Sequence, residues 1–303
     1  MKRIKRIDIL KAIYEEPKPI DFVIYGFEAG TVGILSGAGS VGKGYFSIHL
    51  GFAIADTTET TNFLGLCEKR GRVGLVTSED GERVLIKRIH EIGQYIGSKT
   101  GFKREVFEAV NENFDVVSVQ GMNPSIYSRT NDYSVKKRIK AWQEGLERFC
   151  TGRTLVIVDT FRRFFDGEEN SSGDVSEALK IFESIAHRTG CAILLTHHTS
   201  KSGSIGERND EQESARGSSA ITANARYQIS LAKMSKEQAK KLNVPEEKRG
   251  YYLQVDIPKV NYAAPIEKKW LQRLKGGVLE EINLNGTNKV GINPNYKGRD
   301  DEW

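Results

Sequence analysis

The chain has 303 residues, of which 28% are charged and 38% apolar, with a formal charge of +5. Those values suit an ordinary globular core and exclude a fibrous or low-complexity chain; the mild basicity permits a nucleic-acid partner without requiring one. No apolar run approaches the ~20 residues of a membrane helix. The basic start Met1-Lys2-Arg3 is not followed by the apolar core of a secretory signal. Cys67, Cys150 and Cys191 are far apart, odd in number and not at metal-ligand spacing. Reduced structural thiols in a cytoplasmic protein are therefore expected.

Residues 1–30 are expected to form an arm, with a short amphipathic helix carrying Ile7, Ile9, Leu10 and Ile13 and stopped by Pro17 and Pro19. A strand from Thr31 to Leu35 then leads into Ser36-Gly37-Ala38-Gly39-Ser40-Val41-Gly42-Lys43-Gly44, and a helix follows from Tyr45 to Ala55. Strand, glycine-rich turn and helix are the setting of a phosphate-binding loop. Glycines let successive N–H groups turn toward one anion, and the helix start adds its free donors. Gly37, Gly39, Ser40, Val41, Gly42, Lys43, Gly44 and Tyr45 are the candidate nucleotide-binding residues, with Lys43 reaching the β- and γ-phosphates. A Ser or Thr is expected after the lysine, where its hydroxyl holds Mg²⁺; this chain has Gly44. Its backbone N–H keeps the cradle, while one oxygen ligand is lost.

Gly71 to Thr77 reads as a buried strand ending in Ser78-Glu79-Asp80, and Glu82 to Tyr95 as a helix. Glu79 is placed to accept a proton from a water attacking the γ-phosphate. Asp80 is its rival, or a helix N-cap. Residues 97–113 are polar and weakly patterned. A strand is expected over Phe114 to Val119, a loop over Gly121 to Asn131 and a helix over Asp132 to Phe149. Leu155-Val156-Ile157-Val158-Asp159 is the clearest strand, apolar on both faces as in a parallel sheet. Asp159 is the candidate Mg²⁺ acid. A helix over Val175 to Arg188 and a strand over Cys191 to Leu195 follow, the strand leading to His197-His198. One histidine, His198 in preference to His197, is a candidate contact to the γ-phosphate.

Ser200 to Ser214 has no periodicity and is long for a structureless loop, which marks it as functional or disordered. Arg216 and Arg226 lie beyond it; either is a candidate for stabilising transition-state charge from a neighbouring subunit. A strand from Tyr227, a helix over Lys236 to Leu242 and late strands near 250–258, 266–274 and 277–284 complete the pattern. Residues 285–303 read as a loose tail. Strands alternating with helices predict one α/β domain over 31–284, its largely parallel central sheet flanked by helices, with antiparallel strands toward the C-terminus.

Taken together, Ala29 to Gly33, Ser78-Glu79-Asp80, Val158-Asp159-Thr160 with Arg162-Arg163-Phe164, Glu168-Glu169-Asn170, His197-His198 with Ser200-Lys201, Ser214 to Ser219, and Lys259 with Asn261-Tyr262 resemble RecA-like P-loop ATPases. Among these, the likeness is to the RepA-type hexameric replicative helicases of broad-host-range plasmids. It runs over roughly residues 7–280. The resemblance implies a homohexameric ring that hydrolyses ATP with Mg²⁺ and moves along single-stranded DNA, with active sites between subunits. An initiator or primase partner is also implied. Lys43 matches the family's phosphate-binding lysine, Glu79 its catalytic glutamate, Asp159 its Mg²⁺ acid and His198 its nucleotide-sensing histidine. Arg226 matches the arginine offered to the next subunit's ATP. DNA contacts fall on about 121–131 and 200–214, with Lys201 and Arg208 as candidate phosphate contacts. Two other readings stand beside the motor: a nucleotide-gated DNA-binding scaffold marked by Gly44, and a RecA-like ATPase of recombination or regulation.

Overall fold

The computed structural model describes residues 6–168, 171–199, 221 and 225–284. Eleven strands occur among them. A short hairpin, β1 (Phe22–Ile24) with β2 (Phe27–Glu28), stands apart from a nine-stranded sheet. The sheet is built from β3 (Val32–Gly37), β4 (Val73–Thr77), β5 (Phe114–Ser118), β6 (Leu155–Asp159), β7 (Ala192–His198), β8 (Tyr227–Lys233), β9 (Tyr252–Val260), β10 (Lys269–Arg273) and β11 (Leu279–Ile282). Their spatial order is β11-β10-β9-β8-β3-β7-β6-β4-β5. From β8 to β5 all pairings are parallel; β9, β10 and β11 extend the β8 edge antiparallel. The parallel core with antiparallel C-terminal strands agrees with the expected α/β architecture.

Residues on β3, β4, β6 and β7 are buried on both faces, and helices cover each side. The long helices are α2 (Lys43–Ala55), α3 (Glu82–Thr100), α5 (Tyr133–Cys150) and α6 (Ser172–Thr189). One apolar cluster joins Leu35, Leu75 and Ile157 to α2 and α3; the other joins Ile34, Val156 and Ile193 to α5 and α6. Alternating strand residues thus feed opposite layers. Helix ends follow local chemistry. Asp132 caps α5 by accepting from the N–H groups of Ser134 and Val135, and Gly190 closes α6 in the left-handed region.

Three local expectations change. The polar stretch before Phe114 holds the helix α4 (Arg104–Asn113), whose Val106 and Val110 are buried one turn apart. The predicted helix from Glu82 continues to Thr100, where Gly101 caps it. The hairpin, read from sequence as part of the arm, packs into the core. Val23, Ile24 and Phe27 are fully buried, and Phe27 stacks on Tyr227 with ring centroids 4.6 Å apart. Gly33 permits that stack, since a Cβ there would meet Phe27 and Tyr227 at about 3.0 Å. Ahead of the hairpin, α1 (Ile9–Tyr14) buries none of its residues. The small helix α7 (Lys236–Lys241) carries a Ser235–Gln238 capping box.

Candidate active site

The strand register gathers the chemistry. Gly37 pairs with His198 across β3 and β7, and Thr77 pairs with Asp159 across β4 and β6. The phosphate-loop sequence, Glu79, Asp159 and His198 therefore share one carboxyl edge, where parallel α/β sheets present ligands. In the loop, Ser40 (φ 58°) and Gly42 (φ 110°) adopt left-handed backbone. Gly42 is the N-cap of α2 and leaves its first-turn N–H groups without a side-chain cap. Val41 is fully buried and anchors the turn beneath.

Lys43 is 5% exposed and its ammonium is the hub of the edge. Nζ donates to the carbonyls of Gly37 (2.8 Å) and Ala38 (3.1 Å) and lies 3.0 Å from His198 Nδ1. His198 Nε2 stands 3.5 Å from Glu79 Oε2. The neutral tautomer that satisfies both contacts accepts from Lys43 at Nδ1 and donates to Glu79 from Nε2. Burial pushes the Lys43 pKa down to about 8, against the charges of Asp159 and Glu79. The His198 hydrogen bond holds the Glu79 carboxyl below the usual carboxylate range, in spite of its partial burial. Glu79 is thus ionised at neutral pH and oriented through His198.

Asp159 is nearly enclosed. Thr196 Oγ1 donates to Oδ1 (2.5 Å) and Thr77 Oγ1 to Oδ2 (3.2 Å). Burial raises its pKa, with the Glu79 and Asp80 charges adding to the effect. A bound cation reverses that penalty, so a buried carboxylate held by two hydroxyls fits a hydrated magnesium ion. The loop likewise fits a triphosphate, since it sets a lysine at the start of a helix whose first N–H groups have no side-chain cap.

The structure separates several candidate pairs. His197 is 1% exposed, its pKa lowered to about 4 chiefly by burial. It is His198 of the pair that bridges Lys43 and Glu79. Asp80 is not a helix cap: Gly81 is the N-cap of α3, and the Asp80 carboxylate forms a two-pronged ion pair with Arg88. The Tyr45 hydroxyl donates to the Gly276 carbonyl. Arg226 precedes β8, at the opposite end of the sheet. Its neighbour Tyr227 pairs with Gly33, four residues before Gly37, or roughly 13 Å along the strand. There it is exposed and donates to Tyr262 Oη at 2.7 Å. Arg226 therefore does not join its own chain's edge. Lys201, Arg208 and Arg216 lie outside the described residues. In the other expected DNA stretch, Arg129 is tied to Asp174 and Glu168.

Two arginines were not legible as site neighbours. Arg273 of β10 donates from Nη2 to the carbonyls of Ser40 (3.2 Å) and Val41 (2.9 Å), bracing the loop from the far end of the chain. Arg88 of α3 occupies the space into which a side chain at position 44 would project. Beneath the loop, Ser36 Oγ contacts Gln228 Nε2 and Ser230 Oγ, each at 3.0 Å, linking β3 to β8.

Two solved structures share this architecture. One, an ATPase domain solved on its own, superposes with a TM-score of 0.58 at 15% identity, over 91% of this chain and 96% of that one. A DnaB-like replicative helicase, solved in a study of its interactions with primase, gives a TM-score of 0.57 at 15% identity. That likeness covers 86% of this chain and 61% of the helicase. At these identities they establish a common RecA-like fold. Among the described residues, no helix is long and apolar enough to cross a membrane. The family described as AAA domain matches residues 3–204, more than half of the sequence, and the chain is accordingly a member of that ATPase family.

Proposed function

We propose that the chain is the subunit of an ATP-driven, ring-shaped motor that translocates on single-stranded DNA and unwinds duplex during plasmid or mobile-element replication. One observation carries the reading. Lys43, Glu79, Asp159 and His198 meet at one sheet edge, while Arg226 is displayed at the other end of β8. A site whose lysine, carboxylates and histidine come from one chain, with Arg226 held out of its own reach, suits identical subunits placed head to tail. The resemblance supports a homohexamer with an initiator or primase partner, and the reading of the cysteines as reduced thiols supports a cytoplasmic setting.

The roles follow from the local chemistry. Lys43 binds the β- and γ-phosphates, exchanging its loop carbonyls for phosphate oxygens. Glu79, ionised, takes the proton of the attacking water. Magnesium, held by Asp159, supplies positive charge to the phosphates when bound. His198 bridges Lys43 and Glu79 and so registers whether the lysine is engaged by the γ-phosphate. The backbone carries that message onward: the next residue, Thr199, donates its N–H to Gly37 O at 3.1 Å and leads into the stretch expected to contact DNA. Arg226 from the next subunit stabilises charge on the transferred group.

The test is ATP hydrolysis with and without single-stranded DNA, followed by strand displacement on a forked duplex. A motor is stimulated by the single strand and unwinds the fork. Arg226→Ala is expected to lower hydrolysis by about 10³-fold while nucleotide binding persists. Mixing it with Glu79→Gln subunits regains activity at mixed interfaces. Absence of turnover in any condition, with nucleotide-dependent DNA binding intact, favours instead the nucleotide-gated scaffold to which Gly44 points.

A further inference from the structure

At Gly44 the sequence lacks the hydroxyl expected to hold magnesium, and the fold places an arginine there. A Cβ at position 44 would fall well inside contact distance of Arg88 Nη1. Glycine is therefore what lets the guanidinium approach the first turn of α2. The arginine is held from two sides. Asp80 receives both its terminal nitrogens, with Nη2 at 3.1 Å from Oδ1, and the guanidinium carbon lies 5.2 Å from the centre of the Tyr45 ring.

The position is electrostatically unusual. A helix N-terminus carries partial positive charge and disfavours a cation. Here that terminus carries Lys43 as its first residue and Arg88 against its second. The Arg88–Asp80 pair is also partly withdrawn from water, with side-chain exposures of 22% and 19%; desolvation of that kind erodes the stabilisation an ion pair provides. Two cations gathered at the uncapped start of α2 are best accounted for by a polyanion. Arg88 has five N–H donors in a planar fork suited to phosphate, and Asp80 satisfies only part of them.

We propose that Arg88 belongs to the nucleotide site: seated against Gly44 and held by Asp80, its guanidinium gives the β- and γ-phosphates the positive charge that a hydroxyl-anchored magnesium ion gives in other phosphate-binding loops. The chain thereby binds a nucleoside triphosphate with reduced dependence on a divalent cation. This rests on the nucleotide-binding reading above and adds one residue and one property to it. Arg88 also explains Asp80, which becomes the group that positions the guanidinium.

The test is calorimetric titration of the full chain with the non-hydrolysable analogue adenosine 5′-(β,γ-imido)triphosphate, in excess magnesium and in excess EDTA. For the natural chain the two dissociation constants are expected within about tenfold of each other. Arg88→Ala is expected to weaken binding in EDTA by about tenfold or more, with a much smaller change in magnesium. Combining Arg88→Ala with Gly44→Ser should give a site that binds well only with magnesium. A neutral pair, Asp80→Asn with Arg88→Gln, keeps the shape of the α3 contact and should behave like Arg88→Ala, which guards against a folding defect. An EDTA affinity unchanged by both Arg88 variants overturns the proposal. So does a natural chain that binds in magnesium but not in EDTA. Lys43→Ala separates the two layers. If it weakens binding in both conditions while the Arg88 variants leave the EDTA affinity unchanged, Arg88 alone is misassigned; if it has no effect in either condition, the nucleotide site itself is wrong.

Discussion

Lys43 and Gly44 are consecutive residues that open onto different surroundings. Lys43 is buried toward β7, where His198 connects it to Glu79 and the charge of Asp159 lies close by. Gly44 opens toward α3, where the Arg88–Asp80 pair fills the space. The first flank alternates cation, imidazole and carboxylate. The second brings in a charge from the following helix. Their difference teaches that a residue missing from a motif must be read against what the fold puts in its volume.

The comparison can be broken or sharpened experimentally, beginning with the lysine flank. Lys43→Ala should lower triphosphate affinity by about 100-fold or more in calorimetry, with or without magnesium. A small effect would move the phosphate site elsewhere. Glu79→Gln should reduce hydrolysis by about 10²-fold and leave analogue affinity within a few fold, since the amide keeps the shape but cannot take the proton. Equal losses in binding and turnover would make Glu79 a ligand-positioning group instead.

Acid should act on the buried histidines, not on the Lys43 flank alone. His197 is lowered to about 4 and His49 to about 3, each chiefly by burial. The folded chain therefore binds fewer protons than the unfolded one below the ordinary value of 6.5. Stability from these groups is whole above that value and is lost as pH falls through the window toward the folded values. At pH 5 each histidine costs about 2 kcal/mol relative to pH 7, read as a lower urea midpoint. His49→Phe should remove its share; an unchanged pH slope would show that His49 does not stay neutral. The smallest effect is expected on the glycine flank. Gly44→Ala adds one methyl that the flexible end of Arg88 must yield to, and analogue affinity in magnesium should change by about threefold or less. A far larger loss would mean that the guanidinium has nowhere else to go.

The parallel core was legible because Leu155 to Val158 and Val73 to Val76 are continuous apolar runs flanked by turns, and because Gly37, Gly42 and Lys43 stand between a strand and a helix. The gathering of Glu79, Asp159 and His198 followed once those strands were taken as neighbours. Other features carried little local signal. The helix over Arg104–Asn113 buries only Val106 and Val110, too few to stand out in a polar stretch. Phe22–Glu28 resembled an arm because its burial depends on Tyr227, two hundred residues away. Arg88 falls within an amphipathic helix and Arg273 within a late strand, and neither is marked by a motif. Both matter through contacts at long sequence separation, which no local pattern encodes.

The last three strands have a consequence for where this ATPase begins and ends. The segment shared with the AAA domain family stops at residue 204. The carbonyls of Ser40 and Val41 are nevertheless pinned by Arg273, Tyr45 by Gly276, and Ser36 by Gln228 and Ser230. Lys43, Glu79, Asp159 and His198 thus lie within the first two-thirds of the chain, while Arg226 and the contacts that brace their loop belong to the remainder.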